Sequence, residues 1–181
     1  PRILIGDSNK YLLAIYPEYH TRLFPDSKLI NESPDIVKDI SHANSIHKIY
    51  ICGMPTVNRM ARGDIIVIYR TGDGNGPAHY RAVATTICVV ESVRNINDFR
   101  DEDSFVEYCL RFSVFSEEEL RGYYRDKRYP YVIRFSYNIS LPKRPNRATL
   151  IDQVGLNGTR GFRWSHFELT EEQFSKIIQL G

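Results

Sequence analysis

Five histidines, three cysteines and a glycine-rich run, Arg70-Thr-Gly-Asp-Gly-Asn-Gly76, are where this 181-residue chain could hold chemistry. Glycines two apart can turn backbone amides toward a phosphate, but such loops need a helix behind them. Here Pro77 follows at once, then a strand pattern, and no Gly-Lys-Ser/Thr is present. The run therefore reads as a hairpin connection between a strand ending at Tyr69 and one starting at Tyr80. His20, His42, His47, His79 and His166 show no metal-ligand spacing. Cys52, Cys88 and Cys109 form no C-x-x-C pair and sit in apolar patterns, so they read as small core hydrophobes in a reducing compartment. No G-x-S-x-G occurs, and the strands are nearly free of carboxylates: Asp64 opens one and Glu91 lies near the end of another. No cofactor and no metal is expected. With no complete catalytic motif, the pattern points to binding.

Aromatic residues carry the positive signal. Twelve Tyr, nine Phe and one Trp are present, several beside a cation: Tyr69-Arg70, Tyr80-Arg81, Tyr124-Arg125, Arg134-Phe135 and Gly161-Phe-Arg-Trp164. Flat rings can stack a base while a neighbouring Arg or Lys holds phosphate. Trp164 lies in a polar, basic segment, Thr159-Arg-Gly-Phe-Arg-Trp-Ser165, which predicts a ring held near solvent beside cations. The net charge is +2, but between Arg121 and Arg163 ten Lys/Arg face only Asp126 and Asp152. This excess predicts a positive face for a polyanion, with Arg144, Arg147, Arg160 and Arg163 gathered on it.

The elements that must position these residues follow from periodicity. Short β-rich runs occupy residues 11–16 (YLLAIY), 48–52 (KIYIC), 65–69 (IIVIY), 80–93 and 131–139 (YVIRFSYNI). Ser116-Glu-Glu-Glu119 and Thr170-Glu-Glu-Gln173 are capping boxes, opening helices to about residue 124 and over residues 171–180. In the second, Phe174, Ile177 and Ile178 are expected to share the buried face. Further helices are expected over residues 98–110, 146–154 and 34–40. No regular βαβ rhythm exists, so the fold class is α+β: a mixed, mostly antiparallel open barrel of five to six strands with short flanking helices.

Composition agrees with a globular chain, at 42% hydrophobic and 25% charged. The length suits one domain, read as an N-terminal strand and connecting segment (1–43) packed on a barrel (44–181). No apolar run approaches the roughly 20 residues of a membrane span, and the first residues do not read as a signal peptide, so a cytoplasmic setting without membrane is expected. Residue 1 is Pro, which predicts that the chain is processed or cut from something longer.

The order of these pieces resembles the PUA-like superfamily, which contains the EVE, YTH and ASCH domains. The residues that carry the resemblance are Gly63-Asp-Ile-Ile-Val-Ile-Tyr-Arg-Thr71, Ala82-Val-Ala-Thr-Thr-Ile-Cys-Val-Val-Glu91, the strand from Tyr131, and the short last strand with its capped helix. The segments Tyr16-Pro-Glu-Tyr-His-Thr-Arg-Leu-Phe-Pro-Asp-Ser27 and Asn44-Ser-Ile-His-Lys-Ile-Tyr-Ile51 look like a PUA-like module found C-terminal to GNAT-type acetyltransferase domains. The resemblance implies an open barrel whose mouth holds a base, often a modified one, in an aromatic pocket. On it Asn44, Ser45, Tyr69, Arg70, Thr71, Tyr80, Thr85, Thr86, Arg160, Arg163 and Trp164 are the expected base-binding residues, with Lys143, Arg144 and Arg147 on phosphate. The tryptophan-rich cage of the YTH type is absent. Some ASCH-like members are hydrolases using Lys, Thr and Glu, for which Lys48, Thr85 and Glu91 are available. The first reading is a nucleic-acid or modified-nucleotide binding module. The second is a small hydrolase or an accessory domain of an acetyltransferase, and the third a regulatory or dimerisation module.

Overall fold

A computed structural model of the chain describes residues 8–25 and 45–181. The helix expected over residues 34–40, and Asn44, lie outside the described residues. Six strands, β1 (Lys10–Ile15), β2 (His47–Cys52), β3 (Ile65–Arg70), β4 (Val83–Asn95), β5 (Tyr131–Ser140) and β6 (His166–Leu169), form one open mixed sheet in the order β2-β5-β4-β3-β1-β6. Only β1 and β3 run parallel; every other pair is antiparallel. The α+β architecture expected from the sequence is therefore the one observed.

Alternation of side chains explains why the strands read as nearly continuous apolar runs. Leu13 and Ile15 of β1, Ile66 and Ile68 of β3, and Phe135 of β5 build the inner core with Tyr50 and Cys52 of β2. Their neighbours turn the other way. Leu12, Val67 and Ile87 meet α5 (Arg147–Asp152) and α6 (Glu171–Leu180), while Ile49, Ile51 and Val132 meet α3 (Glu102–Leu110) and α4 (Glu117–Asp126). With both faces covered, neither face needs polar residues. Both expected capping boxes are present, at Ser116 and Thr170. Asp101 caps α3, so that helix begins at Glu102, later than expected, after a short 3-10 turn at Ile96–Asp98.

Three local expectations change. Residues 80 and 81 are helical: after Pro77 the chain makes a short helix, α2 (Ala78–Arg81), and β4 begins only at Val83, where β-branched residues take over. Arg81 reaches back to clamp Asp73 with two short bonds, closing the glycine loop on itself. Ile178 is 43% exposed while Phe174 and Ile177 are buried, so the apolar stripe of α6 is narrower than the spacing implied. Finally, Thr85 is the extra residue of a β-bulge: Ile68 pairs with Thr86 and Tyr69 with Ala84. A bulge re-aims side chains, and here both threonines are buried.

Candidate functional site

One cleft of about 750 Å³ opens where the three apolar clusters meet the surface. Its walls come from both ends of the strand order. The β2 edge supplies Tyr50, Ile51 and Cys52, and the other side supplies Ala14 of β1 with Arg163, Trp164 and Ser165 just before β6. Tyr16, Glu18 and Tyr19 enter from α1 (Pro17–Leu23) and the residue before it. Phe115, Tyr123, Arg128 and Tyr129 enter from α4 and its flanks, and Thr56 and Thr71 add hydroxyls. Seven aromatic rings thus face one space.

Local chemistry explains the placement. Pro17 starts α1 directly after β1, and His20 anchors that helix to the barrel through an Nε2 contact of 2.7 Å with the Thr85 hydroxyl. Thr86 donates to Thr85 at 3.2 Å. His20 is fully buried, and burial, with Arg70 and Arg144 nearby, lowers its pKa to about 3. The ring is therefore neutral at physiological pH. Its Nδ1 has no hydrogen-bond partner among the described residues.

Burial pushes up the phenol pKa values of Tyr19, Tyr50 and Tyr123, so these hydroxyls stay protonated. Tyr16 and Tyr129 lie within electrostatic reach of Tyr50. Tyr16 is 56% exposed and stands at the mouth. Trp164 is only 6% exposed, which differs from the solvent-held ring expected. Its indole N–H donates to the Asn157 carbonyl at 2.9 Å, Tyr69 lies 5.0 Å from it, and Arg147 covers it at 4.8 Å. Packing on both sides buries the ring and leaves part of it in the cleft wall.

The expected site residues therefore separate into groups. Thr71, Arg163 and Trp164 line the cleft. Tyr69 and Arg147 sit behind them against Trp164. Arg70, Thr85 and Thr86 are buried with His20, and Arg144 is close enough to affect that histidine. Tyr80 is 66% exposed on α2, stacked edge-on with His79. Ser45 precedes β2 and accepts the His47 amide at 3.1 Å. Lys143 and Arg160 are exposed. Part of the basic excess is neutralised locally: Arg121 and Arg125 pair with Glu102, and Arg134 with Glu91. The Lys/Thr/Glu set is similarly divided, because Thr85 is held by His20 while Glu91 is held by His47 and Arg134. Cys52, Cys88 and Cys109 are all buried and unpaired, and burial raises their thiol pKa values. Among the described residues no metal-binding cluster occurs, and no helix is long and apolar enough to cross a membrane.

Sequence reasoning missed Tyr16, Glu18, Tyr19, Tyr50, Phe115, Tyr123, Arg128 and Tyr129 as cleft residues. A usable signal existed in Tyr50, the ring of the inner-facing alternation Lys48-Tyr50-Cys52.

No protein-family profile matches the chain, and no curated protein is similar to it in sequence. Solved structures do share its fold. The ASCH protein of Zymomonas mobilis, crystallised as a serine-to-alanine mutant, superposes with a TM-score of 0.58 at 14% identity, over 96% of this chain and 97% of that one. A hypothetical protein from Leishmania major gives 0.53 at 11% identity, over 97% and 95% of the two chains. A protein from Agrobacterium tumefaciens gives 0.50 at 13% identity, over 95% and 92%. At 11–14% identity these likenesses show a shared fold.

Proposed function

We propose that this protein is a nucleic-acid or modified-nucleotide binding module, and that the aromatic cleft holds the base. The observation that carries the reading is seven rings around one space with Arg128 and Arg163 among its lining residues. Base-stacking platforms combine such rings with cations that hold the backbone. The cleft volume also falls in the usual range for small-ligand sites, roughly 300–1,000 Å³. Binding is measured by titrating single-stranded oligonucleotides of about 10 nucleotides, DNA and RNA separately, between about 50 and 200 mM salt. Tyr16 is the ring to remove, since its exposure makes the folding cost small. Tyr16→Ala should weaken binding about 5- to 100-fold, the range for losing one stacking partner. Arg128→Ala and Arg163→Ala should each flatten the log–log salt slope by ~0.7–0.9. Absence of binding at low salt refutes the reading. A cytoplasmic setting and an acetyltransferase domain preceding the chain are further expectations of the same proposal.

A further inference from the structure

The walls of the cleft are not chemically alike, and resting on the reading above, the difference bears on which base enters. Where polyanion is to be held, a carboxylate at the mouth is unfavourable, yet Glu18 stands there. It makes no ion pair among the described residues, and it is exposed. Arg128 and Arg163 line the same cleft without pairing to it.

Tyr19 and Tyr123 line the cleft together with Glu18. Burial first, and then the charge of Glu18, raises the Tyr19 pKa, so that phenol stays protonated. An ionised carboxylate only accepts. What Glu18 offers a ligand is therefore lone pairs alone.

A carboxylate in the cleft wall needs a ligand edge that donates. Cytosine and adenine present an exocyclic amino group on the Watson–Crick edge, and guanine presents a ring N–H beside one. Uracil and thymine offer a single ring N–H between two carbonyl oxygens, which would face the carboxylate. Carboxylates accept from the cytosine amino group in known base readout. We propose that the Glu18 carboxylate in the cleft wall selects bases bearing an exocyclic amino group over uracil and thymine, as the direct acceptor of that group.

Trp164 is the single tryptophan of the chain and lies in the cleft wall, so its fluorescence reports occupancy. Titrations with CMP, AMP, GMP and UMP should show UMP weakest by about tenfold, the lower end for a hydrogen bond to a charged group because Glu18 is exposed. Glu18→Gln should narrow that gap to about threefold, since a carboxamide also donates to a uracil carbonyl. Tyr16→Ala should weaken all four nucleotides alike. UMP binding as tightly as CMP, with Tyr16→Ala still weakening both, overturns the selectivity and leaves the cleft as the binding site. The selectivity is likewise overturned if Glu18→Gln leaves the gap unchanged while melting normally. If neither nucleotides nor oligonucleotides bind, the cleft reading falls and the selectivity with it.

Discussion

Acidification should destabilise this protein through two histidines before its carboxylates titrate. His20 is held neutral by burial, and its pKa falls to about 3. His166 is also buried, with Nδ1 3.0 Å from the Thr56 hydroxyl and Nε2 without a partner among the described residues; its pKa falls to about 4. In the unfolded chain both titrate near 6.5. Between those values and 6.5 the unfolded state binds more protons, so stability rises with pH there. The contribution is complete above pH 6.5 and is lost as pH falls toward 4 and 3. At pH 5 the unfolded pKa lies about 1.5 units above the medium, and at ~1.4 kcal/mol per unit each histidine removes about 2 kcal/mol. Together they remove about 4 kcal/mol, a large share of a typical ~5–15 kcal/mol stability. At roughly 2–4 °C per kcal/mol for a chain of this size, the melting temperature should drop by about 8–16 °C between pH 8 and 5. The assay is a series of thermal melts by circular dichroism on the wild type and on a His20→Gln, His166→Gln double variant. Because the substitutions also alter core packing, the quantity compared is the pH dependence and not the absolute melting temperature. It should be much flatter in the variant, because the depressed carboxylates, such as Asp101 at about 2, titrate below this window. Equal slopes would refute the account of two buried neutral rings.

Trp164→Ala should cost ~3–5 kcal/mol, because the ring is packed by Tyr69, Phe167 and Arg147. A denaturant midpoint near wild type would show that the ring is dispensable to the core. On α6, Ile177→Ala should cost ~2–5 kcal/mol, whereas Ile178→Ala should stay within about 0.5 kcal/mol. Paired urea melts check this, and equal losses would mean that the helix is seated a fraction of a turn differently.

Local interactions were legible in the chain. The caps at Ser116 and Thr170 need only a hydroxyl and a side-chain acceptor three residues apart, so they predict the starts of α4 and α6. The β-branched run at Ile65–Arg70 reads as a strand because both its faces are buried. Where local preferences compete, the tertiary structure decided. The β-rich reading of Tyr80 gives way to a helical turn after Pro77, and the one-residue excess at Thr85 becomes a bulge only against β3. Trp164 has polar neighbours in sequence, but its neighbours in space, Tyr69 and Phe167, bury it. The cleft itself draws on residues from Ala14 to Ser165. No spacing rule links Glu18 and Tyr19 to Tyr123, because they meet only when the curl of the sheet brings α1 against α4. Curl is a property of all six strands packed together, whereas a capping box is complete within four residues.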